Sequence, residues 1–588
     1  MSAPFRHEIP VRLELESPFA TRGAFAGRLG LDTPLARTGG KVMLPGTLLL
    51  GVVRAALDTL KARMTGPDRP TEDELRCVFG EGSSESDEAS PEGWRKSNDP
   101  RRGRLSCGDL VTGEKEDPPG ELTRVALDDE TGAAREGFLQ VIELPFAIGR
   151  RVAFEGTLHL RAGLVTPDRA RFLVARALAL VPALGAMKSA GFGRLHAPGL
   201  DPGISVAPGA GPGVAGRRVA VEFTLDRPFL VSAERVGGNL FRGADVIPGG
   251  VLKGALATAL GDGGRLDAAM GDLLARVTVG HAFPLPKAGG AARRPVPLCL
   301  AAVKDEVKAH VYDRLLARDD EIALFGGKPA RLAFAPDWKG EAALVDRFLG
   351  QGWEGPGREV RTRTAIDPQR GAAKDESLFS YAAVEPWKHR WRAVLTAPDD
   401  GDAALFGEVL AFLQAGLGGI GKTDAVMRAV TIRREADRTP APVRRGDTRY
   451  ALVLQTPALL SDLGALRDET SAADDYAAYF RARGLKLHRH FARQRLVGGH
   501  LALRYPPRED RYEVYVLTEP GSVFLVEPEG DPPEDLAALL ARGLPPRVDA
   551  ALLDWRRCPF QRENGFGAVA CHVVDPKAAA AEGVGVPP

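Results

Sequence analysis

A run of 14 residues in this chain returns 239 positions later, so the chain builds one structural unit at least twice. The run Thr123-Arg-Val-Ala-Leu-Asp-Asp-Glu-Thr-Gly-Ala-Ala-Arg-Glu reappears as Thr362-Arg-Thr-Ala-Ile-Asp-Pro-Gln-Arg-Gly-Ala-Ala-Lys-Asp. Arg124 matches Arg363, and Asp128 matches Asp367. Upstream, Leu44-Pro-Gly-Thr-Leu-Leu-Leu-Gly matches Ile247-Pro-Gly-Gly-Val-Leu-Lys-Gly at an offset of 203, so the second copy holds 239 − 203 = 36 more residues between its two motifs. A Gly-rich loop closes each copy: Gly185-Ala-Met-Lys-Ser-Ala-Gly-Phe-Gly in one and Gly418-Gly-Ile-Gly-Lys-Thr-Asp in the other. Matching motifs in one order mean homologous domains in tandem.

The boundaries follow from composition. The first copy covers residues 8–200, and the Pro/Gly/Ala stretch 201–217 has linker character. The second copy covers 218–436, and a polar joint follows. A third unit, 446–575, opens on an apolar strand-like run and ends on Glu563-Asn-Gly-Phe-Gly, an echo of the first copy's loop. The Ala/Gly-rich tail 576–588 is expected to be flexible, and the Ser/Glu/Arg-rich stretch 81–102 to be a mobile insertion.

Periodicity supplies the elements. Residues 11–16 and 219–225 alternate apolar and polar and predict strands. Residues 48–60, 251–260 and 171–187 are apolar at helical spacing. Pro45-Gly46 and Pro248-Gly249 sit where strand hands over to helix, with Thr47 as a cap. The expected class is α+β, built of tandem ferredoxin-like (RRM-like) units with Gly-rich loops.

Charge and cysteine content exclude several classes. Among 588 residues, 78 Lys and Arg face 77 Asp and Glu, a net charge of +1, so any polyanion must be held by local patches. The densest patch, residues 479–495, carries six cations with His488 and His490. Five cysteines form no C-x-x-C pair, so the expectation is a reducing compartment and no structural zinc. The first residues have no apolar signal core, and no stretch reads as a membrane span, so a cytoplasmic location is expected. No Walker loop, nucleophile elbow or kinase motif set occurs.

The order of these landmarks resembles the RAMP superfamily, the repeat-associated subunits of type III CRISPR-Cas effector complexes. The first copy looks like the backbone subunit that lines a guide RNA, through Gly30-Leu-Asp-Thr-Pro, Leu44-Pro-Gly, Cys77-Val-Phe-Gly, the 123–136 run and Lys188-Ser-Ala-Gly-Phe-Gly. The second and third units are similar to the III-D subunit that caps the guide's 5′ end, through Val246-Ile-Pro-Gly-Gly, Val279-Gly-His-Ala-Phe-Pro, Leu454-Gln-Thr-Pro and Gly521-Ser-Val-Phe. The resemblance implies crRNA, complementary target RNA and other effector subunits as partners, the large polymerase/nuclease-type subunit among them, in antiviral defence.

Candidate residues then take roles. In the first copy Lys188, Ser189, Gly191, Phe192 and Gly193 form a loop whose glycines admit a phosphate backbone and whose Lys adds charge; Lys422, Gly565 and Gly567 recur in the later loops. Gly46 and Gly249 open helices whose amides can seat a phosphate, with Arg54 and Lys253 farther along. Arg124 and Arg363 fall in what this family uses as an inserted hairpin or thumb, able to meet phosphates or to pair with Asp128 and Asp367. Asp32 stands where the backbone subunits carry the aspartate that cuts target RNA, either positioning a divalent metal (Mg or Mn) or orienting the ribose 2′-hydroxyl. Asp245 lies only 2 residues before Ile247, whereas Asp32 lies 12 before Leu44, so the role does not transfer. Two readings stay open: an endoribonuclease acting at Asp32, and a non-catalytic scaffold that caps the guide. A guide-processing nuclease would need a histidine base, for which His196 is the one near a Gly-rich loop in the first copy.

Overall fold

A computed structural model describes residues 3–21, 23, 31–81, 101–214, 216–232, 234–289, 294–304, 309–316, 321–324, 329–331, 355–366, 373–398, 400–461, 471–498, 514–529, 536–547 and 558–574. Gly30, Asp367, most of the 81–102 stretch and the tail 576–588 lie outside them. The described residues form an α+β molecule of eight α-helices and mostly antiparallel sheets, with Leu240–Arg242 running parallel to Ala373–Val384.

One pattern is laid down three times. In the first unit, strand Arg6–Glu16 leads to helix Gly46–Arg63, then to the short strands Leu105–Cys107 and Leu110–Val111 and the long strand Arg151–Arg161. Helix Pro167–Leu180 and strand Leu195–Leu200 complete it. The first strand lies between the last and the third, and the third pairs the second, a spatial order of 4-1-3-2. The second unit repeats this with strands Arg218–Leu225, Thr278–Val279 and Phe283–Pro286, His389–Thr396 and Met427–Arg434. The third repeats it with Tyr450–Leu454, Leu485–Phe491, Val523–Pro528 and Val569–His572.

Alternation explains the sheets. In Arg6–Glu16, Ile9, Val11, Leu13 and Leu15 are all buried against Leu49, Val53 and Leu57 of the first helix and Leu173, Val174 and Ala177 of the second. Each such side chain contributes roughly 1.5–3 kcal/mol by leaving water. The predicted helix over 171–187 instead runs Pro167–Leu180: Thr166 accepts the Arg169 N–H as its cap, and Val181 and Pro182 end it, since Pro cannot continue a helix. The linker is not a free tether, because Ile204–Val206 adds a strand beside Arg6–Glu8. No helix among the described residues is long and apolar enough to cross a membrane.

Thr47 is not the helix cap. The first helix has no capping hydrogen bond from its own N-cap; instead the Asp109 carboxylate accepts the Gly46 N–H at 3.1 Å. In the second unit the His281 Nδ1 accepts the Gly249 N–H at 3.2 Å, so the edge of the second strand caps the first helix in both copies.

The units join through polar contacts. Arg104 and Arg161 of the first unit both bind Asp262, at 3.0 and 2.7 Å, and Arg428 binds Glu8 at 2.8 Å. Arg361, at the base of the second unit's hairpin, binds Asp109 at 2.6 Å.

Candidate nucleic-acid interface

Between its second and third strands the first unit inserts a hairpin, Gly120–Arg124 paired with Gln140–Leu144. Its base packs on the Gly-rich loop: Ile142 and Leu122 meet Phe192, Ala186 and Met187 in one apolar cluster with Ala20. Phe192 is only 4% exposed, so this ring locks loop and hairpin together. The Arg124 guanidinium lies 5.9 Å from the centre of the Phe192 ring, a cation–π contact.

Asp128 does not pair with Arg124. Its carboxylate accepts the N–H groups of Glu130 and Thr131 and the Thr131 hydroxyl, closing the hairpin tip as an Asx turn. Those bonds, the Thr131 amide foremost, hold its carboxyl below the usual carboxylate range. Arg124 is thereby left facing the loop rather than neutralised along its own strand. Beyond the base, Leu127, Phe138 and Leu139 are exposed, giving the hairpin an apolar crest.

The Asp32 loop joins the same cluster. Asp32 is exposed, its N–H donates to the Val141 carbonyl, and its Oδ2 accepts the Val141 N–H at 2.8 Å. Val141 is next to Ile142 of the cluster, and Gln140 donates to the Thr33 hydroxyl at 2.9 Å. The fold therefore brings Asp32, Arg124 and the 185–193 loop onto one hairpin base. Sequence spacing alone does not place them together.

Within that loop Lys188, Ser189 and Gly191 are exposed, and Gly193 is buried. Gly191 has φ +85° with open space where a Cβ would stand, so a ligand can approach its backbone closely. Gly193 serves the chain itself: a Cβ there would lie 2.1 Å from the Leu184 carbonyl oxygen. His196 lies on the sheet, its Nε2 2.8 Å from Glu16 Oε2.

The second unit repeats the junction with different residues. Leu230, Tyr381 and Ala383 form a small cluster with Phe241 at the base of the hairpin Arg358–Ile366 and Ala373–Val384. Arg363 lies 5.2 Å from the Tyr381 ring centre, and Lys422 of the Gly-rich loop lies 5.8 Å from that of Phe241. Lys422 is exposed. Asp245 is bound by Arg358.

Several other candidates make contacts within the protein itself. Gly46 and Gly249 are buried under the caps described above. A Cβ at Gly46 would lie 2.3 Å from the Gly108 carbonyl oxygen, and one at Gly249 would lie 1.8 Å from that of Val279. Lys253 is half-buried and turned toward Glu563; burial pulls its ammonium down to about 8, with Glu563 acting the other way. Gly565 sits against His281 and Val279 of the second unit, and Gly567 against Leu544 within the third, so the third Gly-rich loop packs on the protein at both glycines. Arg54 is exposed on the first helix, away from this cluster's contacts. The basic stretch 479–495 is largely paired: Arg493 and Arg495 bind Glu519, His488 binds Glu527, and Lys486 binds Glu529.

The His281 cap makes stability depend on pH. Burial pushes this imidazole down to about 3, and protonating Nδ1 would break its bond to Gly249. Unfolded histidine titrates near 6.5, so below that pH the unfolded chain binds the extra proton and the folded state loses ground. The loss reaches about 2 kcal/mol between pH 6.5 and 5, at ~1.4 kcal/mol per unit. Urea unfolding at pH 7 and pH 5 should show a larger fall for the natural chain than for His281→Asn; equal falls would remove this role.

Comparison with known proteins gives little beyond this geometry. No family model matches the chain, and no curated protein does. Many solved chains match in part, two of them from one kind of complex. One is from the Type III-B Cmr-beta complex bound to cognate target RNA and AMPPnP, with a TM-score of 0.30 and 13% identity over 52% of this chain and 86% of that one. The other is from Type III-B Cmr-beta bound to cognate target RNA, with a TM-score of 0.31 and 12% identity over the same shares. Overlaps of that quality carry no argument about this chain's function.

Proposed function

We propose that this protein is an RNA-binding, multi-RAMP subunit of a type III CRISPR-Cas effector ribonucleoprotein, holding crRNA and its complementary target. The observation that carries the reading is the junction of hairpin base, Gly-rich loop and Asp32 loop in the first unit. The strand order 4-1-3-2, with a helix at each crossover, supports this reading, since it is the order expected of ferredoxin-like units. Lys188 and the open Gly191 backbone would take phosphates, Arg124 would add a second cationic contact, and the apolar crest would wedge against bases. Lys422 and Arg363 would do the same on the second unit. The large polymerase/nuclease-type subunit and other effector subunits are the expected neighbours.

Asp32 supports a nuclease role by position: an exposed carboxylate beside a nucleic-acid track can accept a hydrogen bond from a ribose 2′-hydroxyl. A Mg or Mn ion at Asp32 would use the carboxylate oxygen that Val141 does not hold, with water and RNA phosphates as the remaining donors. Among the described residues no group of three His, Cys, Asp or Glu side chains includes Asp32, and one of its oxygens is already held by Val141. That same bond favours the second reading, a scaffold that caps the crRNA 5′ end, because it gives Asp32 a structural task without chemistry.

RNA co-purifying with the protein from its native host should carry repeat-derived tags when sequenced. The double variant Lys188→Ala with Arg124→Ala should bind single-stranded RNA more weakly, with its log–log salt slope reduced by about 1.4, roughly 0.7 for each phosphate no longer neutralised. Random RNA in the preparation, together with an unaltered slope, would overturn the assignment.

A further inference from the structure

Three buried side chains far apart in sequence meet where the second unit's insertion lies on the third unit. Cys299 precedes strand Leu300–Lys304, and Asp313 ends strand Ala309–Asp313, which pairs with it. His572 ends the last strand of the third unit. On that strand Val569 and Cys571 face the helices, so His572, by alternation, faces the other way, toward the insertion. There Cys299, Leu300 and Leu315 pack on Ala451, Val453, Val523 and Leu525.

The donor atoms of Cys299, Asp313 and His572 lie within 4.8 Å of one another. Cys299 and Asp313 are fully buried, and His572 is 9% exposed. The His572 Nε2 is 2.6 Å from Asp313 Oδ2, while Oδ1 accepts the Leu315 N–H at 2.9 Å. A buried carboxylate is costly unless charge nearby compensates it. A divalent cation bound by a thiolate, a carboxylate and a neutral imidazole sums to zero charge. Sulfur with nitrogen is the donor mix that selects zinc-class ions over magnesium or calcium.

We propose that Cys299, Asp313 and His572 hold one zinc-class divalent ion, which clamps the second unit's insertion to the last strand of the third unit. Water takes the fourth tetrahedral position, since the cluster supplies three protein donors. Around such an ion neighbouring N and O ligands stand ~3.3 Å apart, so the 2.6 Å contact opens by less than about 1 Å, within side-chain reach. Binding forms a sulfur–metal bond and releases the thiol proton to solvent, so affinity falls as pH falls.

The test uses the full chain, stripped with a chelator, dialysed and reloaded with Zn²⁺ or Co²⁺ alone. One equivalent of ion per chain is expected, with a melting temperature raised by several degrees. The cobalt form should show a thiolate charge-transfer band and the visible bands of a tetrahedral site. Cys299→Ser and His572→Gln should abolish the charge-transfer band and the tetrahedral bands respectively, and Cys77→Ser should leave both. A natural chain that retains no ion, or whose cobalt spectrum lacks a thiolate band, overturns the proposal even where a variant fails to fold. A thiolate band that survives in folded Cys299→Ser overturns it as well.

Discussion

Replacing Asp32 with alanine is expected to slow cleavage of a matched target by roughly 10²–10⁴-fold in the assembled effector, the range for losing one positioned acid–base group. Guide loading should be unchanged, because Arg124 and Lys188, the proposed cationic contacts, stay in place. Asp32→Asn separates chemistry from structure. Its amide oxygen can still accept the Val141 N–H, which the aspartate holds at 2.8 Å, but the negative charge is gone. Loss of cleavage in both variants supports the nuclease reading. Full activity in Asp32→Asn with a defect in Asp32→Ala would reduce Asp32 to a loop fastener. Unchanged cleavage in both would leave the scaffold reading standing.

Gly249→Ala should destabilise the full chain by about 3 kcal/mol or more, the range of severe packing errors. The new Cβ would stand 1.8 Å from the Val279 carbonyl oxygen and 2.7 Å from that of Asn564, and backbone cannot swing aside as a side chain can. Gly250→Ala, one residue on, meets only the Asn564 side chain at 3.7 Å. It should be neutral or stabilise by up to about 1 kcal/mol through the helix preference of alanine. Urea midpoints of the two variants decide the matter. Similar midpoints would mean that the helix start at Gly249 does not pack as closely on Val279 and Asn564 as these distances imply.

How much of this was legible in the sequence depends on how local each cause is. Alternation at Val11, Leu13 and Leu15 and helical spacing after Pro45 marked an α+β chain, because burial on one face is written into the residues themselves. The caps were not legible. Asp109 and His281 reach their helices across the sheet, 63 and 32 residues away, so Thr47 looked the better cap. The Gly-Phe-Gly echo at Gly565 was real as a motif, yet its backbone faces His281 rather than solvent, and no local pattern reports what a loop packs against. The Arg124–Asp128 pairing failed because the Asx turn at Asp128 competes for the same carboxylate. Cys299 and His572 stand 273 residues apart, beyond any spacing rule for metal ligands, and only the docking of one unit on another brings them together.

The junctions between units carry one more consequence. The Gly-rich loop of the third unit rests on the helix start of the second, through Gly565 and Asn564 against Val279 and Gly249. The corresponding loop of the second unit rests on the first, through Gly421 and Asp424 against Arg102. Different surfaces meet at each contact, so the array is head-to-tail and has no twofold axis. A filamentous ligand laid along it could not be turned end for end without exchanging every contact. On the proposed reading, the order of the units would fix the polarity of a bound RNA strand before any base is read.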